Sequence, residues 1–599
     1  MAKSESSPGP VSPDPWAPIL EELLDELEAS ADRIGLGTER GVLESLLDLE
    51  GGRQGDVALP VHRLAGPAGR APPVLAADLA KSWSPSRSIE SVSADGAFVN
   101  FRVVTARLAR ETLERVAARG ARYGGQDGPG PTAIVEHTSA NPTGPLHVGR
   151  VRNGIIGDTV ARVARAMGES VTTQYYVDDL GRQSAMITWI WSKPADQWPT
   201  EIAAAAAVPE PPVRRDDVLY GRPYPFVSAY LKDHPDAQAE LAALVQRIEE
   251  GHGPPLHREL VGKILAGMLA TLARINVRFD TFVWESSLLT DGSVDSVLRR
   301  LNGLPSSITE ENGARALDLG RYGLPKESSR VVYQRGDGTS LYLTRDVAYH
   351  LKKMRSADRV VDVLGQDHRL HARTLDAFFE ELGEPRRPIF IIYQDILAHG
   401  GGRMSTRGGS AVWLDELLDD AVERARGEVR DRWESIDAAE ADRIAEAVGT
   451  GAVRFHILRI APEKPVAFDW EQALSFEGRS GPFVQYSYAR AGSILRKSGA
   501  SEFFVGYDPA HYTSEPEKAL VRVLARLPRT LRGVLRTNHV QNVAGYAHDL
   551  ADEFNRFYHA VPVLSADAER TSRLALVAAA HQTLGNVLDL MGIERLERM

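Results

Sequence analysis

Between Thr132 and Gln183 the chain reads TAIVEHTSANPTGPLHVGRVRNGIIGDTVARVARAMGESVTTQYYVDDLGRQ, and this stretch limits the possible folds more than any other. The apolar run from Ala133 to His137 has the length of a buried strand. Val151, Ile155, Ile156, Val160, Val163 and Met167 then recur at helical spacing, and Gly168 is placed to end that helix. A second strand is expected from Val171 to Val177. Strand, loop, helix and strand make half of a nucleotide-binding unit, whose ligand lies at the carboxyl ends of the strands. The loop holds neither GxGxxG nor GxxxxGK followed by Ser or Thr, so the usual dinucleotide and P-loop readings fail. What remains is His147, Gly149 and Arg150 at a helix N-terminus. Gly149 would let a flat ring or a phosphate approach the backbone. His147 and Arg150 could donate to phosphate oxygens where the helix dipole already favours negative charge. The plainer alternative is a loop whose His147 only caps the next helix.

The same alternation resumes in RVVDVLG (Arg359 to Gly365), a helix to about Leu382 and IFIIYQD (Ile389 to Asp395). It predicts a parallel, doubly wound sheet. Just before it, Tyr342 and Leu343 are expected in a short strand, with a helix starting at Asp346. A carboxylate pair, Asp178 and Asp179, ends the second strand of the first half. Between His399 and Gly409, HGGGRMSTRGG places five glycines around two arginines, a serine and a threonine. Such a loop can close on a triphosphate and stabilise charge developing on pyrophosphate; it could equally be a flexible surface turn. His368 and His371 are too few for a metal site without further ligands.

At 599 residues the chain should form several domains, and 43% hydrophobic with 25% charged residues is ordinary for a globular protein. With no cysteine, disulfides and cysteine nucleophiles are excluded. Met1 to Trp16 is polar and proline-rich, which reads as a disordered tail, and no apolar run is long enough to span a membrane. Together these favour the cytoplasm. The net charge of −11 disfavours nucleic acid, yet Gly481 to Met599 carries a slight basic excess, enough for a local phosphate-binding surface.

HVGR, after SANPTGPL and before RNGIIGD, resembles the HIGH signature of class I aminoacyl-tRNA synthetases. The flanking words resemble arginyl-tRNA synthetases, in particular their archaeal-type branch. RMSTR is similar to that branch's KMSTR, with Arg403 where lysine is usual; a guanidinium keeps the charge but not the geometry. The resemblance implies an α/β Rossmann-type catalytic domain with an α+β N-terminal domain and an all-α anticodon-binding domain. On that basis residues 1–17 are a tail, 18–125 bind the tRNA elbow, and 126–412 are catalytic with a connective insertion at about 193–324. Residues 413–475 are a helical junction and 476–599 bind the anticodon. The implied reaction is ATP-dependent ligation of L-arginine to tRNA(Arg) through arginyl-adenylate, with magnesium on the ATP phosphates. The protein would act as a monomer. Alternatives are a specialised duplicate of the enzyme, or an inactive tRNA-binding paralogue.

Residue by residue, the resemblance assigns ATP binding and catalysis to His147, Gly149, Arg150, Arg403, Met404, Ser405 and Arg407. Glu136, Ser139, Asn141, Tyr342, Asp346 and Gln366 would bind arginine, with Asp346 accepting hydrogen bonds from the guanidinium. Asp179, Gly181 and Gln183 match a word that contacts ribose or substrate. The resemblance places Phe98, Asn100 and Phe101 in DGAFVNF at the tRNA elbow, although for Phe98 and Phe101 individually a core strand is the more expected reading. It places Tyr486, Tyr488, Arg490 and Arg496 at the anticodon, where aromatic and cationic groups suit unpaired bases, with about half of such groups expected in the core or on solvated surface.

Overall fold

Five parallel strands cross the centre of the molecule. The computed structural model describes residues 12–49, 55–206, 215–397, 412–432 and 436–599. Across the sheet the order is Ile389–Tyr393, Arg359–Gly365, Thr132–Glu136, Ser170–Val177 and Thr281–Trp284. Every adjacent pair is parallel. The chain begins in the middle, builds outward on one side, then returns to build the other. The strand order therefore reverses between Thr132–Glu136 and Arg359–Gly365, which is where a crevice opens in such sheets.

The first helix of this unit, Val151–Ala166, lies where its periodicity puts it, and Gly168 at φ 89° ends it. It packs close to the sheet because Gly157 faces His137: a Cβ on Gly157 would stand 2.3 Å from the His137 Cβ. Two elements differ from expectation. Tyr342 and Leu343 are not a strand; they open the helix Tyr342–Ser356. No side chain caps that helix, so the sequence carries no start signal, and Leu343, Val347 and Leu351 bury at helical spacing instead. Thr281–Trp284 falls inside the stretch expected as an insertion, yet it completes the central sheet beside Ser170–Val177. What stands apart from the sheet is the helical part before it, including Pro235–Glu249 and Pro255–Arg274, and a small antiparallel sheet after it at Ser307–Thr309, Arg315–Asp318 and Arg330–Gln334.

The N-terminal part pairs Val57–Pro60 and Ile89–Asp95 with Phe98–Val103 in an antiparallel sheet, flanked by helices such as Ala17–Arg33. The C-terminal part is helical, built from Gly481–Ser498, Glu515–Thr537, Gln541–Ala560 and Arg570–Leu590. Gly120 to Pro131 holds five glycines and two prolines, a linker-like composition, yet it is packed between these parts: Tyr123 is 2% exposed and donates from its hydroxyl to the Leu524 carbonyl at 2.8 Å. Among the described residues, no helix is long and apolar enough to cross a membrane.

Two buried arginines join the central sheet's first helix to the segments behind it. Arg152 donates to the carbonyls of Gln394 and Lys464, both at 2.7 Å, and to Ala461 at 2.8 Å. Arg454, 1% exposed, donates to Asp158 at 2.6 Å and to the Met591 carbonyl at 2.5 Å. Burial raises the Asp158 carboxyl, but Arg454 and Arg162 outweigh it and hold it below the usual carboxylate range. Arg454→Met is expected to destabilise the protein by about 3 kcal/mol, because it leaves a buried carboxylate short of its partner. Chemical denaturation would show a lowered midpoint; an unchanged midpoint would mean Arg162 suffices for Asp158.

Candidate active site

At the switch point the strand Thr132–Glu136 ends in a strained turn. Thr138 and Ser139 have φ of 67° and 37°, values that residues with a side chain rarely adopt. The turn is held from three sides. Thr138 N–H donates to Asn153 Oδ1 on the following helix at 2.8 Å, Ser139 Oγ donates to Glu136 at 2.9 Å, and the same Oγ accepts from Tyr176 N–H at 3.0 Å. Ser139 is thus fixed beside the Glu136 carboxylate. Asn141 reaches across to Gln183, its amide donating to Oε1 at 3.0 Å.

The HVGR loop then runs into a turn, Val148–Arg150, and the helix Val151–Ala166. His147 Nδ1 accepts from Gly149 N–H at 3.0 Å. The ring therefore caps the turn, and accepting at Nδ1 places the proton of the neutral ring on Nε2, which leaves a donor there. A Cβ on Gly149 would lie 3.1 Å from that Nδ1, so glycine keeps the ring close. His147, Gly149 and Arg150 line a cleft of 260 Å³ with Gly365, Gln366, Tyr393 and Asp395. Gln366 donates to Asp395 at 2.6 Å. Arg403, Met404, Ser405 and Arg407 lie outside the described residues. The residues on either side of that segment are at the same cleft: Ile396 lines it, and Val412 and Leu414 exchange backbone hydrogen bonds with Val148 and Leu146.

Asp346 sits one turn into the helix Tyr342–Ser356, not at its start. Its two oxygens face His350 Nδ1 at 2.9 Å and His371 Nε2 at 2.5 Å. A carboxylate offers about four acceptor positions, so a planar guanidinium can still be held there. Tyr342 is 64% exposed and its ring stacks on His371, centroids 5.7 Å apart.

Sequence reasoning missed what lies beneath. Asp346, His350 and Lys353 are spaced i, i+4, i+7 and share one helix face. His350 Nε2 meets Asp362 at 2.9 Å, and Lys353 Nζ meets Asp362 at 2.5 Å and Glu136 at 2.8 Å. Glu136 and Asp362 are register partners on neighbouring strands, so two carboxylates stand side by side with Lys353 between them. Burial raises the Glu136 carboxyl, whereas the Lys353 and His350 cations outweigh burial at Asp362 and lower it. Burial and Lys353 oppose a charge on His350, yet Asp346 and Asp362 outweigh both and push its pKa up to about 10. Beside them Glu285, bonded to Arg345 at 2.5 Å, is pushed up to about 8 by burial, with Asp178 adding to the shift.

Several assigned residues are placed elsewhere. Asp179 is 3% exposed and accepts from Ser286 N–H at 2.9 Å and Ser286 Oγ at 2.6 Å, with Arg258 at 3.3 Å. It caps the helix Glu285–Thr290 and does not face the cleft. Gly181 makes room for Asp178, whose carboxylate accepts its N–H at 2.9 Å. Phe101 is fully buried against Trp83 and Asn100 is buried too, so neither can stack on a base; Phe98 is 41% exposed and packs edge-on against His62. Tyr488 is likewise in the core, stacked on His581 at 4.2 Å. Tyr486, Arg490 and Arg496 do line one groove, of 1240 Å³, with Lys497, Tyr558 and Met599. Arg490 lies over Tyr486 at 4.6 Å and Tyr558 at 5.3 Å.

Three family profiles match in chain order: the arginyl tRNA synthetase N terminal domain over residues 22–103, the catalytic domain of tRNA synthetases class I (R) over 112–470, and the DALR anticodon binding domain over 484–599. The arginine--tRNA ligase of Methanothermobacter thermautotrophicus is 39% identical over 97% of this chain and 99% of its own. That of Methanocella arvoryzae is 40% identical over 90% and 92%. Among solved structures, Thermus thermophilus arginyl-tRNA synthetase superposes with a TM-score of 0.79 at 26% identity, covering 97% of this chain and 100% of its own.

Proposed function

The chain belongs to the arginyl-tRNA synthetase family, and on that premise we propose how its residues divide the work of charging tRNA. The reaction is ATP-dependent ligation of L-arginine to tRNA. The arginine carboxylate attacks the α-phosphate of ATP, giving arginyl-adenylate and pyrophosphate, and the terminal ribose of tRNA then accepts the arginyl group. No enzyme nucleophile is needed, so positioning and charge stabilisation carry the rate.

The observation that carries the assignment is the convergence of the HVGR loop, Gln366 and both flanks of the RMSTR segment on one cleft, with Asp346 and Glu136 joined behind it. In this reading His147 Nε2–H and the Arg150 guanidinium hold ATP phosphate oxygens at the N-terminus of Val151–Ala166, and Gly149 admits the nucleotide. Arg403 and Arg407, with Met404 and Ser405, stabilise the pyrophosphate. Glu136, Ser139 and Asn141 receive the α-ammonium end of arginine; Tyr342, Asp346 and Gln366 receive its guanidinium. Gln183, held by Asn141, borders the same end. Magnesium would arrive on the ATP phosphates, its preferred ligands. Phe98 at the N-terminal sheet and the Tyr486–Arg490–Tyr558 groove would contact unpaired tRNA bases. We place the protein in the cytoplasm, acting as a monomer.

ATP–pyrophosphate exchange with each amino acid in turn, with and without tRNA(Arg), tests this. Arginine-dependent exchange is expected. Its absence under both conditions would favour an inactive tRNA-binding paralogue.

A further inference from the structure

Resting on the reading of Glu136 and Asp346 as the two ends of the arginine site, we propose that His350 and Lys353 are positioning residues for arginine: through Asp362 they link the two carboxylates into one buried relay that keeps both ends of the site anionic and aimed. The links are continuous. Glu136 to Lys353 is 2.8 Å, Lys353 to Asp362 is 2.5 Å, Asp362 to His350 is 2.9 Å, and His350 to Asp346 is 2.9 Å. Lys353 and Asp362 are each 2% exposed and His350 is 5% exposed. Three carboxylates thus face two internal cations.

The relay answers a physical problem at the switch point. Glu136 and Asp362 are forced side by side by the parallel register, and like charges that close cannot both stay ionised without a cation between them. Lys353 supplies that cation. At the other end Asp346 would be driven to take up a proton by burial; His350, kept charged, and His371 together hold it ionised. Every titratable group facing His350 is accounted for. Its own helix presents Asp346, Tyr349 and Lys353, the neighbouring strands Asp362 and Glu136, and the helix Arg369–Glu381 presents Asp376. Four of these six are carboxylates.

The sign of the pH effect follows. In the wild type, Asp346 is held well below neutrality and His350 titrates at about 10, so the KM for arginine should be nearly flat between about pH 6.5 and 8.5. His350→Gln keeps a hydrogen-bonding group but removes the charge. The Asp346 carboxyl then rises and is partly protonated at the lower end of the range. The KM for arginine should be about tenfold above wild type near pH 6.5, for each unit by which Asp346 rises into that range, and should approach wild type as pH increases. The KM for ATP should not follow. Lys353→Met should also raise the arginine KM, with Lys353→Arg recovering part of it because charge returns.

Exchange kinetics on wild type and these three variants, with melting curves alongside, test the relay. If Lys353→Met does not fold, His350→Gln carries the test alone. A His350→Gln to wild-type ratio of arginine KM that stays constant across pH, or a matching change in the ATP KM, would overturn the relay while leaving the arginine site intact. A wild type without arginine-dependent exchange would overturn the reading of the site itself, and the relay with it.

Discussion

Asp346→Asn is expected to raise the KM for arginine by on the order of a hundredfold to a thousandfold, the equivalent of a broken buried charge pair of about 3–5 kcal/mol. The carboxylate is held ionised by His350 and His371 and is the group proposed above to receive the guanidinium. Asparagine keeps one acceptor, but its amide turns a donor toward a cation that has only donors to offer. Asp346 does not line the cleft of His147, Gly149 and Arg150, to which ATP is assigned in this proposal, so the KM for ATP should change by far less. Steady-state exchange kinetics with arginine and ATP varied separately measure both. Equal rises in the two constants would mean that Asp346 supports the fold of the site without touching arginine.

His147→Ala should lower the rate of adenylate formation by roughly a hundredfold or more, with little effect on folding. The imidazole is exposed at a helix N-terminus, and its orientation is fixed by the Gly149 N–H. On the proposed reading, removing it loses a donor to the ATP phosphates; it also loses a cap whose typical worth is only about 1 kcal/mol. A single-turnover measurement separates the chemical step from binding. Near-normal adenylate formation on protein with an unchanged melting curve would leave His147 as a capping residue only.

The parts of this protein that the sequence announces are those with local signals. Val151–Ala166 has a clear apolar period and a terminating glycine, and the HVGR loop has an unusual residue set at a helix N-terminus. The failures share a cause: position along the chain does not reveal which way a side chain turns. Asp178 and Asp179 look equivalent on paper, yet one faces Gly181 and the other caps the next helix. Tyr488 looks like a base-stacking aromatic and is core, while Phe101 is core as its place in an apolar strand suggests. Tyr342 was expected in a strand because nothing in its neighbourhood caps a helix. The relay was legible in principle: Asp346, His350 and Lys353 put three charged or titratable residues on the face of a helix that also buries Val347 and Leu351, and Asp362 is the one charge inside VVDVL. Charges on an apolar face need partners, and that signal could have pointed to them.

Charging of tRNA(Arg) by the wild-type protein with arginine, canavanine, citrulline and lysine, each alone, tests the central claim most directly. Arginine should be charged best and canavanine next, because it keeps the planar guanidinium shape. Citrulline has that shape without the charge and would leave Asp346 without its cation; lysine offers a compact ammonium in place of a planar fork. Both should be charged poorly, at the limit of detection. Efficient charging with lysine or citrulline would contradict the account and remove Asp346 as the group that selects the amino acid.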